Sequence, residues 1–246
     1  MLWIYSLVSV VLVSLISLAG ILTIVIRKEQ LGKILNFLVA FAVGALFGDA
    51  FIHLLPEAFE KIPSHLLVGL YVIAGFLLFF MIEKFIRWRH FTMPHTEHVK
   101  PVVALNLIGD AVHNFIDGML IAGSFMVDFH VGIATTIAIV LHEIPQELGD
   151  FAILIKGGLS VKKALMLNLL TALTAVAGTV MTLVVGSFIG SFSIVLLPIT
   201  AGSFLYIAGP DLIPELHAET KPSSALWQFI AIVVGVGIMV ALTLLE

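Results

Sequence analysis

Two apolar stretches of the chain carry side chains that apolar stretches ordinarily exclude. Asn106, Asp110, His113, Asn114 and Asp117 fall within residues 101–126, and His142, Glu143, Gln146, Glu147 and Asp150 within residues 131–155. Asp110, His113, Asn114 and Asp117 stand at i, i+3, i+4 and i+7; His142/Gln146 and Glu143/Glu147 are four apart and Glu143/Asp150 seven apart. Such spacings put each set on one face of an α-helix. Neutral imidazole combined with carboxylate and amide oxygen suits Zn2+, and also Fe2+ or Mn2+. The chain has no cysteine, which excludes disulfides, thiolate catalysis and thiolate ligands and argues against Cu+. Two histidines, several carboxylates and two amides exceed what one tetrahedral ion uses, which suggests two adjacent cations or stepwise exchange.

These stripes must be positioned by elements that live in lipid. Of 246 residues 60% are hydrophobic and 11% charged, with a mean hydropathy of +1.16, which excludes a water-soluble enzyme. Twelve Lys and Arg against 16 Asp and Glu leave a net charge of -4 with no basic tract, so nucleic acid is excluded as a partner. A helix needs about 20 apolar residues to cross roughly 30 Å of hydrocarbon. Eight such runs lie near 3–26, 35–58, 65–86, 101–126, 131–155, 161–188, 193–213 and 225–245. The expected fold is therefore an all-α integral membrane protein of eight spans, a single domain over 1–246 with a histidine-bearing loop at 87–100. An ionisable side chain near the bilayer centre costs about 2.5–3.5 kcal/mol. The stripes sit halfway along spans 4 and 5, so these helices must face each other or an aqueous cavity, where a bound cation removes the electrostatic cost. Pro145 cannot donate to the Leu141 carbonyl and predicts a kink beside the ligands.

Orientation follows from the basic residues, which accumulate in short cytoplasmic loops. Eleven of 12 fall on one side: Arg27, Lys28, Lys33, Lys84, Arg87, Arg89, Lys100, Lys156, Lys162, Lys163 and Lys221; only Lys61 is opposite. Both termini are expected outside the cytoplasm, with Trp3, Trp88 and Trp227 as interfacial anchors. No Lys or Arg precedes the first run, which reads as a retained span rather than a signal peptide. The compact chain suggests a prokaryotic cytoplasmic membrane. Leu54-Leu55-Pro56-Glu57 ends span 2 and Leu212-Ile213-Pro214-Glu215 ends span 7. Since those spans run in opposite directions, the echo suggests an inverted repeat of spans 1–3 and 6–8 around a central pair.

Two other function classes compete with metal transport. His142-Glu143-Ile144-Pro145-Gln146 matches the zinc-protease pattern H-E-x-x-H except at its last ligand, which would make an intramembrane metalloprotease. Gln146 is a poorer zinc ligand than His, and Pro145 disturbs the turn that aligns the pair. A proton-coupled carrier of a non-metal substrate is the other, with the stripes relaying protons.

At these residues the chain resembles the ZIP family (Zrt-, Irt-like proteins) of divalent-metal transporters. The matching stretches are His113-Asn114-Phe115-Ile116-Asp117-Gly118 in span 4 and His142-Glu143-Ile144-Pro145-Gln146-Glu147-Leu148-Gly149-Asp150-Phe151 in span 5. The second is similar to the LIV-type signature, H-E-I-P-H-E-L-G-D, with Gln146 in place of its second His. Gly48-Asp49 through His53-Leu54-Leu55-Pro56-Glu57 and Ala201-Gly202 through Asp211 and Pro214-Glu215 extend the match. The resemblance implies eight spans in a 3+2+3 inverted-repeat arrangement and alternating access that moves Zn2+, or Fe2+, Mn2+ or Cd2+, into the cytoplasm. It implies a binuclear site between helices 4 and 5. His113, Asp117, His142 and the Gln146 position form the principal site; Asn114, Asp117 and Glu143 form the adjacent one. Asp49, His53, Asp110, Glu147, Asp150, Asn168, Asp211 and Glu215 then line the route or support the ligands. His90, His95 and His98 are candidate ligands of the cytoplasmic loop. No cofactor is implied beyond the carried metal; the expected partners are metal ions and the bilayer, with homodimerisation left open.

Overall fold

Helices satisfy their own backbone polar groups in apolar surroundings, and they supply all the regular structure in the computed structural model, which describes residues 1–21, 28–91, 100–189, 191–218 and 222–245. Helix α1 (Leu2–Leu15) continues as a 3-10 turn, Ile16–Ile21. Helix α2 (Lys28–Gly48) passes through a π-helical segment, Asp49–Leu54, into α3 (Leu55–Lys61). Then come α4 (His65–Phe91), α5 (Lys100–Val127), α6 (Phe129–Lys156), α7 (Val161–Ala172) and α8 (Thr174–Phe188). Helix α9 (Phe192–Tyr206) passes through a second π segment, Ile207–Leu212, into α10 (Ile213–His217), and α11 (Pro222–Leu242) closes the bundle.

Among the described residues, six helical stretches are long and apolar enough to cross a membrane by length and composition: Leu2–Ile21, Ile34–Lys61, His65–Lys84, Val161–Phe188, Phe192–Leu212 and Ser224–Leu242. Helices α5 and α6 have 28 residues each; length does not keep them out of that group, but the polar stripes lower their hydropathy. Outward-facing apolar side chains, such as Leu66, Leu70 and Ile73 on α4 and Leu226, Phe229 and Val233 on α11, give the bundle a surface suited to lipid.

Local chemistry explains the breaks. Asp128 caps α6, accepting from the His130 N–H at 2.7 Å and the Val131 N–H at 3.4 Å, and so turns the chain between α5 and α6 in one residue. Partial burial acts to raise the Asp128 carboxyl, but those backbone donors outweigh it and hold the group below its ordinary 3.8. Span 6 breaks at Leu173, where Thr171 Oγ1 donates to the Asn168 carbonyl at 2.8 Å and Thr174 Oγ1 to that of Thr171 at 2.6 Å. These hydroxyls compete for carbonyls that helix amides would otherwise hold. Helix α6, by contrast, runs on through Pro145 without interruption.

Helices α1, α5, α6, α7 and α8 pack together, as do α2 with α11 and α4 with α9; the two groups meet where α2 crosses α6 and α9 crosses α5. Glycines permit the closest crossings. A Cβ on Gly44 would lie 2.1 Å from the Ile232 carbonyl oxygen, and one on Gly235 would lie 2.4 Å from that of Phe41; Gly202 meets the Val72 oxygen at 2.0 Å and Gly75 the Ile199 oxygen at 2.1 Å. The two crossings correspond in register. Residues 41 and 44 become 199 and 202, both π segments shift by the same 158 positions (49 to 207 and 54 to 212), and 72 and 75 become 232 and 235.

Candidate metal centre

The polar stripes of α5 and α6 meet. His113, Asp117, His142 and Glu143 each offer one ligand atom, and these atoms all lie within 4.8 Å of one another. His113 Nε2 is 3.3 Å from His142 Nε2, 3.7 Å from Asp117 Oδ2 and 3.4 Å from Glu143 Oε1; His142 Nε2 is 3.3 Å from Asp117 Oδ2 and 3.5 Å from Glu143 Oε1. A tetrahedron with edges of about 3.4 Å has its centre about 2.1 Å from each vertex, the length of a zinc bond to imidazole or carboxylate. The arrangement is nearly dry: Asp117, His142 and Glu143 are buried, and the His113 side chain is 15% exposed.

The electrostatics call for a cation. Both Asp117 oxygens and Glu143 Oε1 are buried without a hydrogen bond among the described residues. Two such carboxylates side by side carry a desolvation cost of several kcal/mol each, which their histidine neighbours offset only when protonated. Orientation of the imidazoles is set from behind. His142 Nδ1 lies 3.3 Å from the Ala138 carbonyl oxygen, so it donates there and Nε2 keeps its lone pair for the centre. The His113 ring stands edge-on to Phe79 and His142 edge-on to Phe204.

Asn114 Nδ2 donates to Asp110 Oδ1 at 2.7 Å, and its own Oδ1 is buried without a hydrogen bond among the described residues. Asp110 also accepts from the Thr171 hydroxyl, and Glu147 Oε2 accepts from Asn168 Nδ2 at 2.5 Å. Thr174 and Thr179 hydroxyls donate to the Ala111 and Gly118 carbonyls at 2.6 and 2.9 Å, clamping α8 to the helix that bears His113. Asn168 is among the residues expected to support the ligands; these threonines are not, and their spacing with Asn168 along one face of span 6 is the signal that marks them.

A cavity of about 420 Å3 reaches the group from the C-terminal half of α6. Its walls include His113, Asp110, Gln146, Asp150 and Asp211, together with Phe79, Glu83 and Tyr206, which no motif or spacing singles out. Tyr206 donates its hydroxyl to Glu83, joining α9 to α4. Gln146 thus lines this cavity together with His113, and Glu143 belongs to the four-residue group. On the opposite side, His53 Nε2 lies 3.0 Å from the Met239 carbonyl oxygen, and Asp49 is wholly buried beside Thr135. His95 and His98 lie outside the described residues, as do the side chains of His90 and Glu215.

Comparison with known proteins agrees with this chemistry. The family model described as "ZIP Zinc transporter" matches residues 1–101 and 90–243. Zinc transporter ZIP13 of Pongo abelii is 35% identical over 263 residues, covering 98% of this chain and 79% of that protein. The Danio rerio ZIP13 is 33% identical, covering 98% and 87%. Zinc transporter SLC39A7 of Homo sapiens is 32% identical over 336 residues, covering 100% and 72%.

Proposed function

The chain belongs to the ZIP zinc transporter family, and from that premise we propose that it moves Zn2+ across the membrane through the group on α5 and α6. The single observation that carries the proposal is the buried set of four ligand atoms at tetrahedral spacing, open to water through one cavity. Membership of a transporter family sets aside the metalloprotease reading of His142–Gln146.

His113, Asp117, His142 and Glu143 hold the principal ion in this reading, with Gln146 receiving it on the cavity side. Asn114 Oδ1 and the second Asp117 oxygen, both without partners, support an adjacent ion position that shares Asp117 and Glu143. All eight helical runs span the bilayer, arranged 3+2+3 within one domain; the 158-residue offset that positions 41 and 44 share with the π segments, with 72 and 75 answered by 232 and 235 at an offset of 160, supports an inverted repeat. The His113 cavity lies at the end of the bundle that carries Lys84, Lys162 and Lys163. By the positive-inside rule that end is cytoplasmic and both termini are not. Transport then alternates between this inward-open form and one in which the other side reaches the same ligands, one helix group moving against the other. The relatives compared are animal proteins and lend no weight to a prokaryotic membrane.

Uptake by proteoliposomes tests the reading against Zn2+, Fe2+, Mn2+ and Cd2+. Saturable Zn2+ uptake that Asp117→Ala abolishes supports it. Absence of uptake for every ion by well-folded protein refutes it.

A further inference from the structure

Sites of one ligand type tell divalent ions apart by geometry more than by raw affinity, and in this molecule the geometry depends on how two helices lie against each other. His113 and Asp117 come from α5, His142 and Glu143 from α6. The short edges of the group are those that cross between the helices: His113 Nε2 to His142 Nε2 and His142 Nε2 to Asp117 Oδ2 at 3.3 Å, and His113 Nε2 to Glu143 Oε1 at 3.4 Å. In a tetrahedron the centre lies about 0.6 of an edge from each vertex. Lengthening these edges by about 0.5 Å therefore stretches the bonds to a central ion by up to about 0.3 Å, more than the roughly 0.2 Å within which zinc sites hold their ligands.

Span 6 runs beside both ligand helices and reaches each of them. On α7, Asn168 donates to Glu147 of α6 at 2.5 Å and Thr171 to Asp110 of α5. Beyond the break at Leu173 the contacts pass to the backbone of α5. Thr174 Oγ1 donates to the Ala111 carbonyl at 2.6 Å and Thr179 Oγ1 to the Gly118 carbonyl at 2.9 Å, on either side of the run that bears His113, Asn114 and Asp117. The Thr174 hydroxyl shares its one proton with the Thr171 carbonyl, also at 2.6 Å, and so ties α5 to the break itself. Between these bonds the two backbones touch. A Cβ on Gly118 would lie 1.9 Å from the Ala175 carbonyl oxygen, and one on Gly178 would lie 1.9 Å from that of Phe115. No side chain stands between the helices at those points to absorb a shift. Helix α6 has no such seat: nearest to a Cβ on Gly132 is the Phe125 ring, and around Gly149 there is nothing within 4 Å. Helix α5 is thus the fixed reference against which α6 is placed.

Resting on the transport reading, we propose that Thr174 and Thr179 are positioning residues that set the metal selectivity of the centre, drawing α8 onto α5 and thereby fixing where His113 and Asp117 stand relative to His142 and Glu143. Neither threonine belongs to the ligand group or to the walls of the His113 cavity, so their effect on an ion passes through the placement of α5. Valine keeps the shape of threonine but sets a methyl where the hydroxyl was, and carbon approaches a carbonyl oxygen no closer than about 3.3 Å. In the same rotamer the contact at Ala111 opens from 2.6 Å by about 0.7 Å and that at Gly118 from 2.9 Å by about 0.4 Å. Shifts of that size reach the tolerance of the tetrahedral group. Zinc, which is held in tetrahedral sites, loses most by them; manganese, which prefers six oxygen ligands, loses less.

The test is isothermal titration of Zn2+ and of Mn2+ into wild-type protein, the Thr174→Val/Thr179→Val protein and the Thr174→Ser/Thr179→Ser protein, with Thr200→Val as a control. Thr200 Oγ1 donates to the Leu196 carbonyl within α9 at 2.8 Å, so its replacement removes a buried hydroxyl bond without loosening α8 from α5. The valine protein should bind Zn2+ roughly 10- to 100-fold more weakly, the usual cost of losing a group that orients metal ligands, and should lose less for Mn2+, so that its preference for zinc narrows. The serine protein retains both hydroxyls and should keep the wild-type preference, as should Thr200→Val. Where the double valine protein does not fold, the single Thr174→Val and Thr179→Val proteins are judged by the same criteria. A valine protein that melts lower yet binds both ions as wild type does overturns the proposal. So does an equal loss for both ions, a narrowed preference in the serine protein, or the same narrowing in Thr200→Val; each of these leaves the transport reading standing. Wild-type protein that binds no zinc refutes the transport reading instead.

Discussion

Replacing Asp117 by Asn should make the metal-free protein more stable and the zinc-bound protein less so. The sign reversal follows from the geometry. Without a cation, Asp117 and Glu143 are two carboxylates, both buried, with ligand oxygens no more than 4.8 Å apart. At an effective dielectric of 20 a pair of unit charges at that distance repels by about 3.5 kcal/mol. Protonation of His113 or His142 relieves part of this, which leaves a net gain of about 1–3 kcal/mol when the carboxylate becomes an amide of the same shape. For a chain of this size each kcal/mol moves the melting temperature by about 2–4 °C, so the metal-free variant should melt roughly 2–10 °C higher than wild type.

With Zn2+ present the same substitution removes one of two anionic ligands. Breaking a buried ionic contact from one side costs about 3–5 kcal/mol, a loss of roughly 10²- to 10⁴-fold in zinc affinity. Because ligand binding stabilises by RT ln(1 + [L]/Kd), the zinc-induced rise in melting temperature should shrink by the same free energy. Differential scanning fluorimetry of chelator-treated protein, with and without zinc, reads both effects. A metal-free variant that melts lower than wild type and keeps the full zinc-induced rise would mean that the four residues form a polar packing contact with no role in holding metal.

Other substitutions probe separate parts of the argument. Gln146→His places an imidazole on the cavity side of the group and should tighten Zn2+ binding more than Mn2+ binding, since imidazole favours zinc; titration with both ions checks it, and an unchanged preference would remove Gln146 from the ion's path. Gly118→Ala puts a methyl group 1.9 Å from the Ala175 carbonyl oxygen, so α5 and α8 must separate and thermal stability should fall by several kcal/mol. Gly237→Ala, with nothing within 4 Å, should be neutral or slightly stabilising. Asp128→Ala removes the α6 cap and should cost about 1 kcal/mol. Because the folded carboxyl is held below 3.8, that contribution is complete above the ordinary value and disappears as pH falls through the lower folded one; equal stability of variant and wild type at neutral pH would contradict the cap.

The helices that carry the candidate metal group are legible because lipid makes polar residues conspicuous. His113, Asp117, His142 and Glu143 stood out at helical spacing in apolar runs, and the structure brings their ligand atoms together. What periodicity leaves undetermined is rotation within a helix. Gln146 and Glu143 lie three residues apart, near neighbours on the helical surface, and only the packing of α6 against α5 and α2 sets Glu143 into the buried group and Gln146 into the cavity wall. The π segments were invisible for a related reason: one extra residue in a turn changes the direction of every later side chain without altering composition. Glu60, Asp128 and His130 carry no signal in the sequence because at helix ends charged side chains are ordinary.

The proposed repeat gives the two cavities similar frames and different chemistry. In each, a helix passes through a six-residue π segment and then a proline, with 49–54 answered by 207–212 and Pro56 by Pro214. A cavity lined by His53, Glu57, Glu60, Asp128 and His130 takes His53 from the first segment, and the His113 cavity takes Asp211 from the equivalent position. At the segment's first residue the correspondence fails, since Asp49 is matched by Ile207. On the proposed transport route a cation coming from the His53 side would meet the buried carboxylate of Asp49 before Asp117 and Glu143. One leaving toward the His113 cavity meets Ile207 and water at the corresponding depth. Identical linings would hold the ion equally on both sides, and binding strong enough to capture it would also retain it. Ile207 in place of a carboxylate on the side that opens to Gln146 weakens the hold there, so that hydration in the cavity can complete the release.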